Sequence, residues 1–157
     1  MKRTLTFAAL LLAISLPFQS TGGNPAATSP VADSWTTAWN SHDVVKWATH
    51  FTPDVYYEDV TFGEISRGSA EAQKFAASFF TDVPDLKLEL ADSSIEGNHG
   101  SIQWILSGTD KGVFKTGKPF KVRGVSIITI NNGKISRSID YYDLATIMKQ
   151  VGVLPAS

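Results

Sequence analysis

The sequence predicts an α+β fold, with helices gathered on one face of a mostly antiparallel sheet. Three observations predict it. Apolar residues recur at helical spacing through the first half of the chain, as in Ala72, Phe75, Ala76, Phe79 and Phe80. After Pro84 the period switches to two, with Leu86, Leu88 and Leu90 alternating against Lys87, Glu89 and Ala91. Asn132-Gly133, flanked by apolar stretches, is a two-residue hairpin signal.

The elements follow in order. Lys2 and Arg3 precede an uncharged apolar run from Leu5 to Leu16, and Pro17, Ser20, Gly22 and Gly23 then break it. That order predicts a secretory signal peptide over residues 1–22, with an uncleaved anchor as the alternative reading. Residues 23–30, small, polar and proline-bearing, read as a flexible leader, and 31–157 as one folded domain. Asp33 and Ser34 are N-cap candidates for a first helix burying Trp35, Ala38 and Trp39. Ser41 or Asp43 caps a second short helix carrying Val44, Val45, Trp47 and Phe51, which Pro53-Asp54 ends. Val55 to Thr61 reads as the first strand, and Gly63 to Gly68 as a loop or short hairpin. Ser69 opens the third helix and Pro84 stops it. Strands follow around Leu86–Leu90, around Ile102–Leu106, over Phe120–Ile130 and over Lys134–Tyr142. Asp143 caps a last helix ending near Gly152.

Composition narrows the function. The chain has 157 residues, 43% hydrophobic and 18% charged, which suits a globular domain of this length. Loss of Lys2 and Arg3 with the signal peptide leaves twelve cationic against fifteen acidic residues, a net charge of −3. With no basic stripe, nucleic-acid binding is not expected. There is no cysteine, so export, if it occurs, is not used to stabilise the fold by disulfides. His42 reads as a capping or solvated residue at a helix junction, His50 and His99 show no ligand spacing, and no phosphate loop, nucleophile elbow or cofactor fingerprint occurs. No metal or cofactor is expected.

Chemistry concentrates on one acid. Asp59 lies in Tyr56-Tyr57-Glu58-Asp59-Val60, whose aromatic and β-branched surroundings read as a strand. A carboxylate on the inner face of such a strand loses hydration, and its pKa rises toward a catalytically useful range. Asp140, beside Tyr141 and Tyr142, is a second candidate. If it shares parity with the pocket, the two acids form a pair whose pKa values are pushed apart. The long strand Phe120–Ile130 is apolar on both parities, so its sheet needs two covers. The helices supply one, and a second copy of the chain is expected on the other.

The motifs WTTAWNSHD (35–43), FTPDVYYEDV (51–60), the RG of ISRG (65–68), VPDL (83–86), GTDKG (108–112), TGKPFKVRGVSII (116–128) and NGKISRSIDYYDLATIMKQVG (132–152) occur in an order that resembles a known family. The chain is similar to SnoaL-like proteins of the nuclear transport factor 2-like superfamily, which includes polyketide cyclases and ketosteroid isomerases. The resemblance implies a cone of strongly curved sheet closed by three main N-terminal helices, a pocket inside the cone, and frequent dimers. It places Asp59 where ketosteroid isomerases keep their general base. Where they hold the enolate oxygen with a tyrosine and a protonated aspartate, this chain has Trp35 and Ser126. Where the cyclase branch commonly carries a histidine and a strand acid, it has Asp110 and again Ser126.

Two readings stay open. One is an exported protein that binds a small, largely apolar molecule and performs cofactor-free proton transfer. In it Asp59 is the acid/base, Asp140 a weaker candidate, and Trp35, Trp39, Tyr57, Trp104, Asp110, Ser126 and Tyr142 line the ligand. The other is a non-catalytic ligand-binding or dimerisation module of the same fold.

Overall fold

A computed structural model describes residues 29–155; the expected signal peptide and residues 23–28 of the leader lie outside the described residues. The first helix, α1 (Pro30–Asn40), starts earlier than Asp33 and Ser34 suggested. Its N-cap is Ser29, whose Oγ accepts from the Val31 amide at 3.3 Å, with Pro30 in the first turn. Proline fits there because its missing N–H is one the helix could not use. Pro30 therefore belongs to the helix and not to the leader. The face carrying Ala32, Trp35, Ala38 and Trp39 is buried. Asn40 then donates to the Leu88 carbonyl and accepts from its amide, both at 2.8 Å, which fixes the helix end to the sheet.

Helix α2 (Val44–Ala48) is capped by Asp43, whose Oδ1 accepts from the amides of Val45 and Lys46 at 3.0 Å. Phe51, expected on this helix, instead opens strand β1 (Phe51–Asp59), which ends two residues before Thr61. Strand propensity of the run from Val55 wins over Pro53, which is accommodated where the register of β1 shifts. Residues Glu64–Arg67 form β2, antiparallel to β1, so the hairpin alternative holds. Helix α3 (Ser69–Asp82) follows, burying Ala72, Phe75 and Ala76.

The remaining strands are β3 (Lys87–Glu96), β4 (His99–Thr109), β5 (Pro119–Asn131) and β6 (Lys134–Tyr142), followed by helix α4 (Leu144–Gln150) with Asp143 as its N-cap. Asn132 and Gly133 both have positive φ, 50° and 76°, as a type I′ hairpin between β5 and β6 requires. The six strands form one sheet in the order β2-β1-β6-β5-β4-β3, antiparallel except for the β1–β6 pair. The register shifts once in each of the β1–β6, β3–β4 and β5–β6 ladders. This is the α+β architecture expected.

The parallel pair decides what the fold can do. It sets Asp59 directly beside Asp140 and Tyr57 beside Ser138, and β5 places Ser126 opposite Asp140. One row along, Trp104, Gly124 and Tyr142 face one another across β4, β5 and β6. A Cβ on Gly124 would come within 2.1 Å of the Trp104 ring. Glycine there lets the indole lie across β5 toward Tyr142, with ring centroids 5.7 Å apart. On the other face of the sheet Ile127 and Tyr141 are 46% and 45% exposed.

Candidate functional site

The inner face of the sheet and the aromatic faces of α1 and α3 line a narrow cavity of about 30 Å³. Trp35, Trp39, Tyr57, Trp104 and Tyr142 line it, together with the carboxyl-bearing Asp59 and Asp140. Phe75, Phe79, Leu86, Leu88 and Leu106 complete it. None of these five is among the site residues expected from the sequence. Their signal was nevertheless available: Phe75 and Phe79 are one turn apart on α3, and Leu106 shares strand parity with Trp104.

Asp59 is 2% exposed. Its Oδ1 accepts from the Phe62 amide at 3.0 Å and its Oδ2 from the Tyr142 hydroxyl at 2.7 Å. Burial pushes its pKa up, and the bonds from Tyr142, Phe62 and Thr61 only partly offset this. Asp140 is 6% exposed. It accepts from the Tyr57 hydroxyl through Oδ2 and from Ser138 Oγ at 3.2 Å through Oδ1. Burial raises it to about 6 against the pull of Tyr57, Ser126 and Ser138, and the nearby negative charge of Asp59 adds to the rise. Burial and these two carboxylates also push the hydroxyls of Tyr57 and Tyr142 upward, so both stay protonated donors.

Two acids on adjacent strands, each held by a tyrosine and each with a raised pKa, are coupled in their protonation through the negative charge of Asp59. Each carboxylate retains acceptor capacity toward the cavity beyond these partners. Trp104 donates its indole N–H to Ser126 Oγ at 3.0 Å, and Ser126 in turn hydrogen-bonds Asp140. The indole nitrogens of Trp35 and Trp39, by contrast, are buried without an acceptor. They are the polar groups of this wall that a bound acceptor oxygen would satisfy.

The structure thus brings Asp59, Asp140, Trp35, Trp39, Tyr57, Trp104 and Tyr142 around one cavity. Ser126 is fully buried behind it and reaches it through Trp104 and Asp140. Asp110, expected at the ligand, stands elsewhere. Its carboxylate accepts from the amides of Phe114 at 2.9 Å and Thr116 at 2.8 Å and from Thr116 Oγ1 at 2.7 Å, holding its own loop together. Burial alone would raise its pKa, but the donors of Thr116 and Phe114 outweigh that and hold it low. A strand acid and a turn acid look alike in sequence. The difference is that the turn supplies its own amides.

Comparison with known proteins gives a consistent family. A model of SnoaL-like polyketide cyclases matches residues 30–151. Cyclase aurE of Calcarisporium arbuscula is 28% identical over 92 residues, 58% of this chain and 68% of that protein. A ketosteroid isomerase-like fold protein from Catenulispora acidiphila, crystallised with trimethylamine, superposes with a TM-score of 0.74 at 22% identity. The match covers 80% of this chain and 95% of that one. TerC, co-crystallised with polyporic acid, superposes with a TM-score of 0.65 at 17% identity, covering 79% of this chain and 99% of that one.

Proposed function

The chain belongs to the SnoaL-like polyketide cyclase family, and from that premise we propose that it binds a small, largely apolar, carbonyl-bearing molecule and moves a proton on it without a cofactor. The observation that carries this reading is the Asp59–Asp140 pair, side by side in register at one end of an otherwise apolar cavity. In this reading the Asp59 carboxylate takes the proton from carbon α to the carbonyl. The enolate oxygen is held by the free indole N–H groups of Trp35 or Trp39. Asp140, raised to about 6, is the partner that returns a proton. Return at another carbon is isomerisation; attack of the enolate carbon on a second carbonyl, with protonation of the resulting alkoxide, is ring closure. The curated cyclase relative supports the reaction class, and the neighbour crystallised with polyporic acid supports ligand binding in this fold.

The test is deuterium exchange at the α-carbon of aryl ketones and 1,3-diketones in D2O, followed by NMR. Exchange by the wild type that is lost in Asp59→Asn supports the reading. A ketone that binds but never exchanges removes it and leaves the binding module. One observation favours that second reading: both carboxylates already accept from tyrosine hydroxyls. We extend the proposal to the outer sheet face, where exposed Ile127 and Tyr141 suit a second copy of the chain. Sedimentation at micromolar concentration tests this, and Ile127→Lys should return the protein to a monomer. Export likewise remains a proposal, tested by the mass of the mature N-terminus.

A further inference from the structure

The register of the sheet aligns three acids, and the proposed chemistry uses only two of them. Asp59 pairs with Asp140 on β6 and with Glu64 on β2, so the three form one row across the sheet. Side chains directly opposite on antiparallel strands share a face, with Cβ atoms roughly 5 Å apart. Burial along β2 agrees with that face: Ser66, opposite the inward Tyr57, is buried, while Ile65 and Arg67 are exposed. Glu64 therefore lies on the cavity side of the sheet, beside Asp59. It differs from the other two acids in one respect. Asp59 and Asp140 are buried, and Glu64, on the edge strand, is exposed.

A buried base that has taken a proton exchanges it with water only through a group that reaches water. Around Asp59 and Asp140 such groups are few. Among the described residues that line their cavity, the rest are aromatic or aliphatic, and Ser126 and Ser138 behind the pair are fully buried. The hydroxyls of Tyr57 and Tyr142 stay protonated. Glu64 offers the way out. It borders an open groove of about 240 Å³ with Phe62, Phe75, Phe79 and Val113. Phe75 and Phe79 wall both this groove and the cavity, so the two spaces abut. The Tyr142 hydroxyl, raised first by burial and by Asp59, also feels the negative charge of Glu64. That hydroxyl is the one Asp59 accepts from. The groove holds a second acid, Asp82, but it ends α3 against Gly112 and stands outside the row.

We propose that Glu64 is the relay through which Asp59 exchanges protons with water, the solvent end of a carboxylate row built by β2, β1 and β6. This rests on the proton-transfer reading given under the proposed function and adds a residue that acts through Asp59 without touching the substrate. After Asp59 takes the proton from carbon, the carboxyl O–H bond of Asp59 breaks. The proton joins the Glu64 carboxylate, directly or over one bridging water, and Glu64 releases it into the groove. Asp59 is left as the carboxylate. In D2O the reverse transfer brings deuterium to Asp59 before it is delivered to the enolate.

The test is the isomerisation of a β,γ-unsaturated ketone, allyl phenyl ketone, in D2O. The C–H bond α to the carbonyl breaks, the double bond moves into conjugation, and a new bond to hydrogen forms at the γ carbon. NMR and mass spectrometry read how much deuterium the enzymatic product carries at that carbon. Wild-type product is expected to be mostly deuterated. Product from Glu64→Gln should lose most of that label, because Asp59 then returns the hydrogen it took. Formate, a free carboxylate small enough for the open groove, should restore the label in this variant, which a merely structural role for Glu64 would not allow. Asp82→Asn, in the same groove but outside the row, should leave the label as in wild type. If wild-type product keeps its original hydrogen, if Glu64→Gln product stays labelled, if formate restores nothing, or if Asp82→Asn loses label equally, this inference falls and the proton-transfer reading stands. If no isomerised product forms, both fall.

Discussion

Two places in this molecule bury an aspartate, and they treat it in opposite ways. Asp110 and Asp59 are equally hidden, each 2% exposed. At Asp110 the chain turns back so that the amides of Phe114 and Thr116 point at the carboxylate, and its pKa is held low. At the β1–β6 end of the sheet Asp59 accepts from the Phe62 amide and the Tyr142 hydroxyl, and Asp140 from hydroxyls, but burial outweighs these donors. Both are raised. Burial by itself therefore does not mark a reactive acid. What marks one is burial that outweighs the donors around the carboxylate, next to a space that a ligand could enter.

The sharpest way to break this contrast is through reactivity. Asp59→Asn removes the proposed base while keeping shape, and α-carbon exchange of a bound ketone is expected to fall by about 10²–10⁴-fold. Asp140→Asn should fall within the same range if the pair works as a unit. Residual exchange within a few-fold of wild type in both would make the strand pair as structural as the loop acid. Asp110→Ala makes the converse test. It removes the acceptor of two part-buried amides and a hydroxyl, and urea denaturation is expected to show a loss of about 2 kcal/mol. A negligible loss would mean that the loop does not depend on its acid.

How much of this was legible in the sequence depends on how local each cause is. Strand alternation, the Asn132-Gly133 hairpin and the Asp143 cap are decided by neighbouring residues, and they read correctly. The Ser29 cap was missed because a serine followed by proline in a small-residue stretch looks the same whether it starts a helix or a linker. Phe51 was placed on a helix because its spacing from Trp47 is helical, yet its backbone pairs with Ile135, eighty-four positions away. The site shows the same division. Asp59 and Asp140 could be named separately as strand acids, but their adjacency comes from the parallel β1–β6 pairing, which leaves no local signature. Tyr57 was read as wall for the same reason: its hydroxyl partner, Asp140, lies on a different strand.

A smaller effect should appear in how stability depends on pH. Asp140 binds its proton more tightly in the folded than in the unfolded chain, with a folded value of about 6 against 3.8. A raised acid contributes stability below the unfolded value and loses it as pH rises through the folded one, so this residue favours folding near pH 4 and opposes it above 6. Asp140→Asn removes that dependence. Between pH 4 and 7.5, its stability relative to wild type is expected to improve by about 2 kcal/mol. The low-pKa acids, Asp110 among them, act in the opposite direction but cancel in the difference between the two proteins. A flat difference would place Asp140 with Asp110 rather than opposite it.

The smallest and most specific effect belongs to Tyr142. Its hydroxyl donates to Asp59, and that bond lowers the Asp59 pKa while burial raises it. Phenylalanine at this position keeps the ring against Trp104 and Phe62 and deletes the donor. The stability cost should be about 1 kcal/mol. The informative reading is the pH profile of exchange: with the donor gone Asp59 holds its proton to higher pH, so the acid limb moves up. Activity should then drop a few-fold below pH 6 and recover in alkaline buffer. A uniform loss at every pH would assign Tyr142 to cavity shape instead. An unmoved limb with full activity would mean that the group titrating in catalysis is not Asp59, and the choice between the two strand acids would pass to Asp140.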